Sequence, residues 1–461
     1  MSKIRGNKPA RSLGWMKGSY SVDRPAGSVE SDPIWNLESG TIITGGDIMV
    51  AESPPIVLDI PKETLSIVLS FASLRDLLNL RLVCSQYSQD TIFDAAHCLW
   101  MCEDEEPRPM SARRLRSMLA RFSIGTIRCV KLEGILLTYR GLVQGRHGTS
   151  ISPRYLCNLL SESCGTSLER LELRVAEEEE PGYVPPPTNN NLFTDTIQLE
   201  KLQTLRIIGE IGHAENPLCR SLLCATANLV DLALCGCQNL NDYDVEGVIL
   251  PRFRHTLRSM SLIDCAGLET PVVQSTILQS LGMQKCPNLD SLALDCPCLT
   301  SLDLSQSTYV NVELWGLHEK LPRLKLLSLA GNDVLKYAVV PSPSLLEYID
   351  LSGCSSLMSI NISCPSLHHL RTDECCKLEM VSIQSFAIKS LDLSNLPLLL
   401  VRIHCPCLLN LKLNSCEGLE SKRCSIICPS LRDVDIRGTL LFSPEDFCDS
   451  VSVRCEWIGS L

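Results

Sequence analysis

The chain contains no run of 18 or more apolar residues, so no membrane-spanning helix is expected. It has no glycine loop of the Walker or dinucleotide type, and its 8 histidines are dispersed. Cysteine is plentiful, at 25 positions, yet no Cys-x-x-Cys knuckle occurs, which argues against structural zinc. The N-terminal stretch lacks the continuous apolar core of a secretory leader. The thiols are therefore expected to be reduced and the chain intracellular, cytoplasmic or nuclear. A net charge of −11 argues against nucleic acid as the main partner. No catalytic residue, metal or cofactor is expected.

A recurring phrase is present instead: a leucine-like residue, two variable residues, a second leucine-like residue, one variable, and a third. It reads Leu346-Ile349-Leu351, Leu367-Leu370-Thr372, Ile388-Leu391-Leu393, Leu408-Leu411-Leu413 and Leu431-Val434-Ile436, at spacings of 21, 21, 20 and 23 residues. The same phrase begins at Ile127-Val130-Leu132. Self-similarity of this period and spacing resembles the leucine-rich repeat, which implies units stacked into a curved solenoid. The cysteines follow the repeat. Cys237, Cys265, Cys354, Cys375 and Cys416 share one position, while Cys286, Cys296, Cys364, Cys405 and Cys428 precede proline in a Cys-Pro-x-Leu phrase. A thiol at a repeated narrow turn reads as a small buried hydrophobe rather than a ligand.

Residues 1–54 are polar and without lasting periodicity, and are expected to form a disordered tail. The pattern changes at Ile56. Asp59-Ile60-Pro61-Lys62-Glu63 starts a helix with an acid as cap and proline near its first turn. Ser73-Leu74-Arg75-Asp76 opens a second helix. Together they carry two apolar stripes, more than one helical hairpin buries alone, so one stripe needs a partner. The run from Leu58 to Phe71, followed by Leu74 to Cys84 and Tyr87, resembles the F-box, with Ile60 in place of the usual leucine and Tyr87 in place of tryptophan. The resemblance implies an all-helical module over 55–100 that docks on the Skp-type adaptor of a cullin–RING ubiquitin ligase. The adaptor contacts it implies are Ile60, Pro61, Leu65, Val68, Leu69, Leu80, Val83 and Tyr87.

Residues 101–125 then connect the box to a solenoid over 126–461. Phe93, Leu99 and Trp100 are expected to continue helically, and Ser111 to Phe122 to form a basic amphipathic helix. The early repeats are long: Leu202 to Leu229 spans 27 residues, Leu229 to Leu257 spans 28, and Leu257 to Leu289 spans 32. Ser152-Pro153, Asn216-Pro217 and Thr270-Pro271 read as helix starts, with Gly165 and Gly282 closing the helices begun at 153 and 271. Late repeats leave no room for such helices, and Ile360-Asn361-Ile362, Val381-Ser382-Ile383 and Val401-Arg402-Ile403 alternate as strands. The fold class expected is thus α/β, helix-backed in the first half of the solenoid and strand-backed in the second. A flexible insertion is expected at 176–191. A C-terminal cap is expected at 440–461, with a helix from Ser443 and a final strand within Val451 to Trp457.

Along the concave face of such a solenoid the central outward positions read Asp303, Ser328, Asp350, Arg371, Asp392, Lys412 and Asp435. Their alternating signs allow lateral pairing at about 0.2–1 kcal/mol per pair. An aromatic ring, a histidine and cations close together also suit protein recognition, which makes Tyr348, His369, Arg371 and Lys412 the candidate target-binding residues. The expected role is the substrate-recognition subunit of a ubiquitin ligase, itself non-catalytic, holding a protein target. The alternative is a repeat scaffold that does not direct ubiquitin transfer. A thiol-dependent ligase would need a further catalytic domain, and nothing after Gly438 is long enough to supply one.

Overall fold

A computed structural model of the chain describes residues 34–36, 41–44, 47–49, 98–101, 112–120, 127–137, 153–177, 199–209, 222–223, 225–238, 240–307, 320–340, 345–419, 421–439 and 452–454. The chain divides into two units, Met1–Asp59 and Ile60–Leu461. In the first, strands β1 (Ile34–Asn36), β2 (Thr41–Thr44) and β3 (Asp47–Met49) pair antiparallel in that order. The sequence predicts no element here. Its runs are too short to show a period, but the register sets Ile34 opposite Ile43 and Ile43 opposite Ile48, and β-branched residues favour a paired strand. The expected F-box, with all eight implied adaptor contacts, lies outside the described residues except for 98–100, which are in a strand, and so do most of the 176–191 insertion and the helix expected from Ser443.

The second unit is a stack in which each repeat adds one strand to a parallel sheet. The front sheet begins with β4 (Cys98–Met101), β5 (Cys129–Leu137), β6 (Arg170–Glu177), β7 (Thr204–Ile208), β8 (Asp231–Cys235) and β9 (Ser259–Ile263), each hydrogen-bonded to the next. Neighbouring parallel strands need a long crossover. Helix α1 (Ala112–Leu119) lies between β4 and β5 in the chain, and α2 (Pro153–Cys164) between β5 and β6. On α2 the stripe Leu156, Cys157, Leu159, Leu160 and Cys164 is buried, and Pro153 and Gly165 bound the helix as the sequence predicts. Leu99 and Trp100, expected on a helix, lie on β4, where Leu99 pairs with Val130 of β5.

Past β9 the backing changes from helix to strand. Strand β10 (Val272–Gln274) stands where the sequence predicts a helix from Pro271, and it pairs with β12 (Ala293–Asp295). The cause is local. Asp242 accepts from the N–H groups of Glu269 (3.1 Å) and Thr270 (2.8 Å), and Glu246 Oε1 accepts from that of Val272 (2.6 Å). Thr270 is thereby occupied and does not cap a helix, while Val272 and Val273 are β-branched. Gly282 is no helix terminus either, since it ends the front strand β11 (Ser280–Gly282).

The front sheet continues through β13 (Ser301–Asp303), β14 (Leu326–Ser328), β16 (Tyr348–Asp350) and β18 (His369–Arg371), giving 11 strands in all. Behind it, β15 (Tyr337–Val340), β17 (Ser359–Ser363), β19 (Met380–Gln384), β21 (Leu400–His404) and β23 (Ser425–Ile427) form a second parallel sheet. A last front group runs β20 (Ser390–Asp392), β22 (Asn410–Lys412), β24 (Asp433–Asp435) and β25 (Ser452–Arg454), the terminal strand falling where the sequence predicts it. The leucine-like positions of the phrase all enter the core between the sheets; Leu302, Leu327, Ile349 and Leu391 are at most 1 % exposed.

Candidate protein-binding face

Each short front strand buries its middle residue and turns the two beside it outward. The first outward positions therefore line up as Ser280, Ser301, Leu326, Tyr348 and His369, and the second as Gly282, Asp303, Ser328, Asp350 and Arg371. Three of the four sequence-predicted residues are brought together here. Tyr348 and His369 are register partners with ring centroids 6.3 Å apart and planes tilted by 49°. Tyr348 Oη donates to Asp350 Oδ2 at 3.2 Å, and Arg371 Nη1 reaches the same oxygen at 3.4 Å. Arg371 also contacts Asp373 at 3.3 Å. Its pKa is raised by the Tyr348 phenol oxygen first and then by Asp350 and Asp373, so the guanidinium is fixed in the charged form.

Lys412 is placed elsewhere, two strands beyond Arg371 on β22, with Nζ 2.9 Å from Asp392 Oδ2. Burial of Asp392 opposes its charge, but hydrogen bonds from Ser394 and Lys412 together hold its carboxyl below the usual range. Further along, Asp435 Oδ2 meets Arg437 Nη2 at 2.8 Å. Of the alternating signs along this row, Asp350 with Arg371 and Asp392 with Lys412 pair laterally as sequence spacing allowed, whereas Asp435 pairs with Arg437 of its own repeat. On the rim Lys325 Nζ meets Glu347 Oε1 at 2.7 Å, which lowers the Glu347 pKa.

Sequence reasoning missed Leu326. It is 46 % exposed and in register between Ser301 and Tyr348 on the outward face. The signal was present: with Leu324, Leu327 and Leu329 filling the phrase, Leu326 falls on an outward position. The candidate surface is the row Leu326–Tyr348–His369 with Arg371 beside it, which mixes apolar, aromatic and guanidinium groups, the types that suit protein recognition, on a sheet backed by a second sheet.

The cysteines form two buried ladders. At one corner Cys354, Cys375 and Cys416 each donate an Sγ–H to a carbonyl of the preceding repeat, at Leu329 (3.2 Å), Leu351 (3.1 Å) and Leu393 (3.2 Å). At another, Cys296 donates to the Val273 carbonyl at 3.4 Å. Burial pushes Cys286 and Cys375 up to about 12 and Cys296, Cys354, Cys405 and Cys416 up to about 11. Such thiols are poor nucleophiles and poor metal ligands. Among the described residues no group of three His, Cys, Asp or Glu side chains is arranged to hold a metal, and no helix is long and apolar enough to cross a membrane.

No protein-family model matches the chain, and no curated protein matches it either.

Proposed function

We propose that this chain is the substrate-recognition subunit of a ubiquitin ligase: an F-box over 55–100 holds a Skp-type adaptor and through it a cullin–RING ligase, and a leucine-rich-repeat solenoid holds a protein target. The observation that carries the binding half is the outward row of exposed Leu326, half-buried Tyr348 and exposed His369 beside Arg371, set on a sheet with a packed core behind it. The adaptor half rests on the residues from Leu58 to Tyr87 and their two apolar stripes. The mechanism is proximity. Holding the target and the ubiquitin-charged enzyme on one assembly raises their effective concentration without a catalytic side chain in this chain.

The test is co-purification of adaptor and cullin with the wild-type chain and with a Pro61→Ala, Leu65→Ala double substitution. Retention by the wild type and loss by the variant is the expected result; no adaptor on the wild type sinks the ligase reading and leaves a repeat scaffold. Adaptor binding without ubiquitination of a bound partner, in a reconstituted reaction, would favour a scaffold that recruits the adaptor but does not direct transfer.

A further inference from the structure

Four aspartates occupy the same position in four repeats, and the structure treats three of them alike. Asp303, Asp350, Asp392 and Asp435 each accept, on one carboxylate oxygen, the backbone N–H two residues on, at 3.0, 3.0, 3.1 and 3.3 Å. That bond fixes the direction in which the other oxygen points. Arg371 occupies it at Asp350, Lys412 at Asp392 and Arg437 at Asp435. Asp303 Oδ2 accepts only from the neutral amide of Gln284 and meets no cation among the described residues. Its neighbours in register are Gly282 and Ser328, neither of which brings a charge. A carboxylate oriented as in the charged repeats but left without a cation is a receptor for one supplied from outside.

The surroundings specify what accompanies that cation. One strand over and two residues along lies exposed Leu326, followed in register by Tyr348. Sheet geometry separates the Asp303 and Leu326 positions by roughly 8 Å, close to the i, i+2 spacing on one face of an extended chain. We propose that the front face over β11–β16 binds an extended segment of a protein partner carrying lysine or arginine two residues from an aliphatic or aromatic side chain. The cation pairs with Asp303 and the apolar group packs on Leu326 and Tyr348. This rests on the reading of the front face as the target-binding surface and names the chemistry of what it takes.

The experiment selects a random-peptide phage library on the full-length chain and repeats the selection on Asp303→Asn, Leu326→Ser, Tyr348→Ala and Asp392→Asn. Asparagine keeps the acceptor for the Ser305 N–H, and with the Gln284 amide turned over its Nδ2 donates to Gln284 Oε1, so both hydrogen bonds are kept. Wild type is expected to enrich basic-x-apolar peptides. Asp303→Asn should abolish the basic preference and weaken a selected peptide about tenfold, Leu326→Ser should abolish the apolar one, and Asp392→Asn should leave both unchanged. Peptides that lose binding with Tyr348→Ala but are indifferent to Asp303→Asn overturn the inference and leave the front face standing. Peptides indifferent to every front-face substitution, or no enrichment at all, overturn both.

Discussion

At Cys375 the thiol is buried, donates to the Leu351 carbonyl, and is pushed up to about 12 by burial. Cys376 beside it and Cys407 are exposed. Alkylation follows the thiolate, so iodoacetamide near neutral pH should modify Cys376 and Cys407 rapidly and the ladder cysteines at least a hundredfold more slowly until the stack is unfolded, as mass spectrometry of timed samples will show. The raised values also set a pH dependence. A group that favours its neutral form when folded contributes fully below its unfolded pKa, near 8.5 for cysteine, and loses that contribution as pH rises toward the folded values. Stability should therefore fall between about pH 8.5 and the values near 11 and 12, and fall less when ladder cysteines are replaced. Ser307 already serves at this position, its hydroxyl donating to the Met283 carbonyl at 2.6 Å. Cys375→Ser should accordingly cost no more than about 1 kcal/mol in denaturant unfolding. The burial of these cysteines was legible from the repeat alone. The carbonyl each one meets was not, because the partner lies 23 to 25 residues away across the stack.

At the scale of elements, the back strands were legible because alternation survives in each short run, and the front strands because leucine recurs at fixed spacing. Legibility failed where a side chain from another repeat decided the outcome, as Asp242 and Glu246 do for β10. It failed also where the run was only three or four residues, as at β1 and β4. One break could not be foreseen. The strands β18 and β20 are neighbours, yet no backbone hydrogen bond joins them, and the break coincides with Thr372, which stands at a leucine position with its Oγ1 buried and unpartnered. The back strands β17, β19 and β21 remain paired behind it. The N–H groups of Tyr348 and Asn410 bond across the front ladder at 3.0 and 3.1 Å; that of Ser390, at the same repeat position, does not. Hydrogen exchange should therefore be faster at Ser390 than at Tyr348 or Asn410. Thr372→Val removes the unpartnered hydroxyl at nearly constant shape and should stabilise the stack by about 1 kcal/mol, whereas equal exchange rates and no gain would show the break to be inconsequential. A turn at each corner takes a left-handed residue, glycine at 353 with φ of +71° but glutamate at 374 with +63°. Gly353→Ala should cost about 1 kcal/mol in the same unfolding assay.

Across the whole molecule, the stack leans on nearest neighbours, so a defect in one repeat weakens the two beside it more than the rest. Leu302, 1 % exposed on β13 and paired on both sides, lies between the Asp303 and Leu326 positions and the core that supports them. Leu302→Ala should cost about 2–5 kcal/mol and loosen the front face locally. If the chain works by proximity, adaptor binding and target binding are separable but must occur on one molecule. Pro61→Ala with Leu65→Ala should leave the affinity for a selected peptide unchanged while abolishing adaptor capture. Asp303→Asn should leave adaptor capture unchanged while weakening the peptide about tenfold. Either variant alone should stop ubiquitination of a lysine-bearing reporter fused to that peptide, and mixing the two proteins should not restore it, because neither chain then bridges reporter and ligase. Restoration by the mixture would mean that the two functions act without being tethered, and would turn the reading from a bridging receptor to two independent binding surfaces.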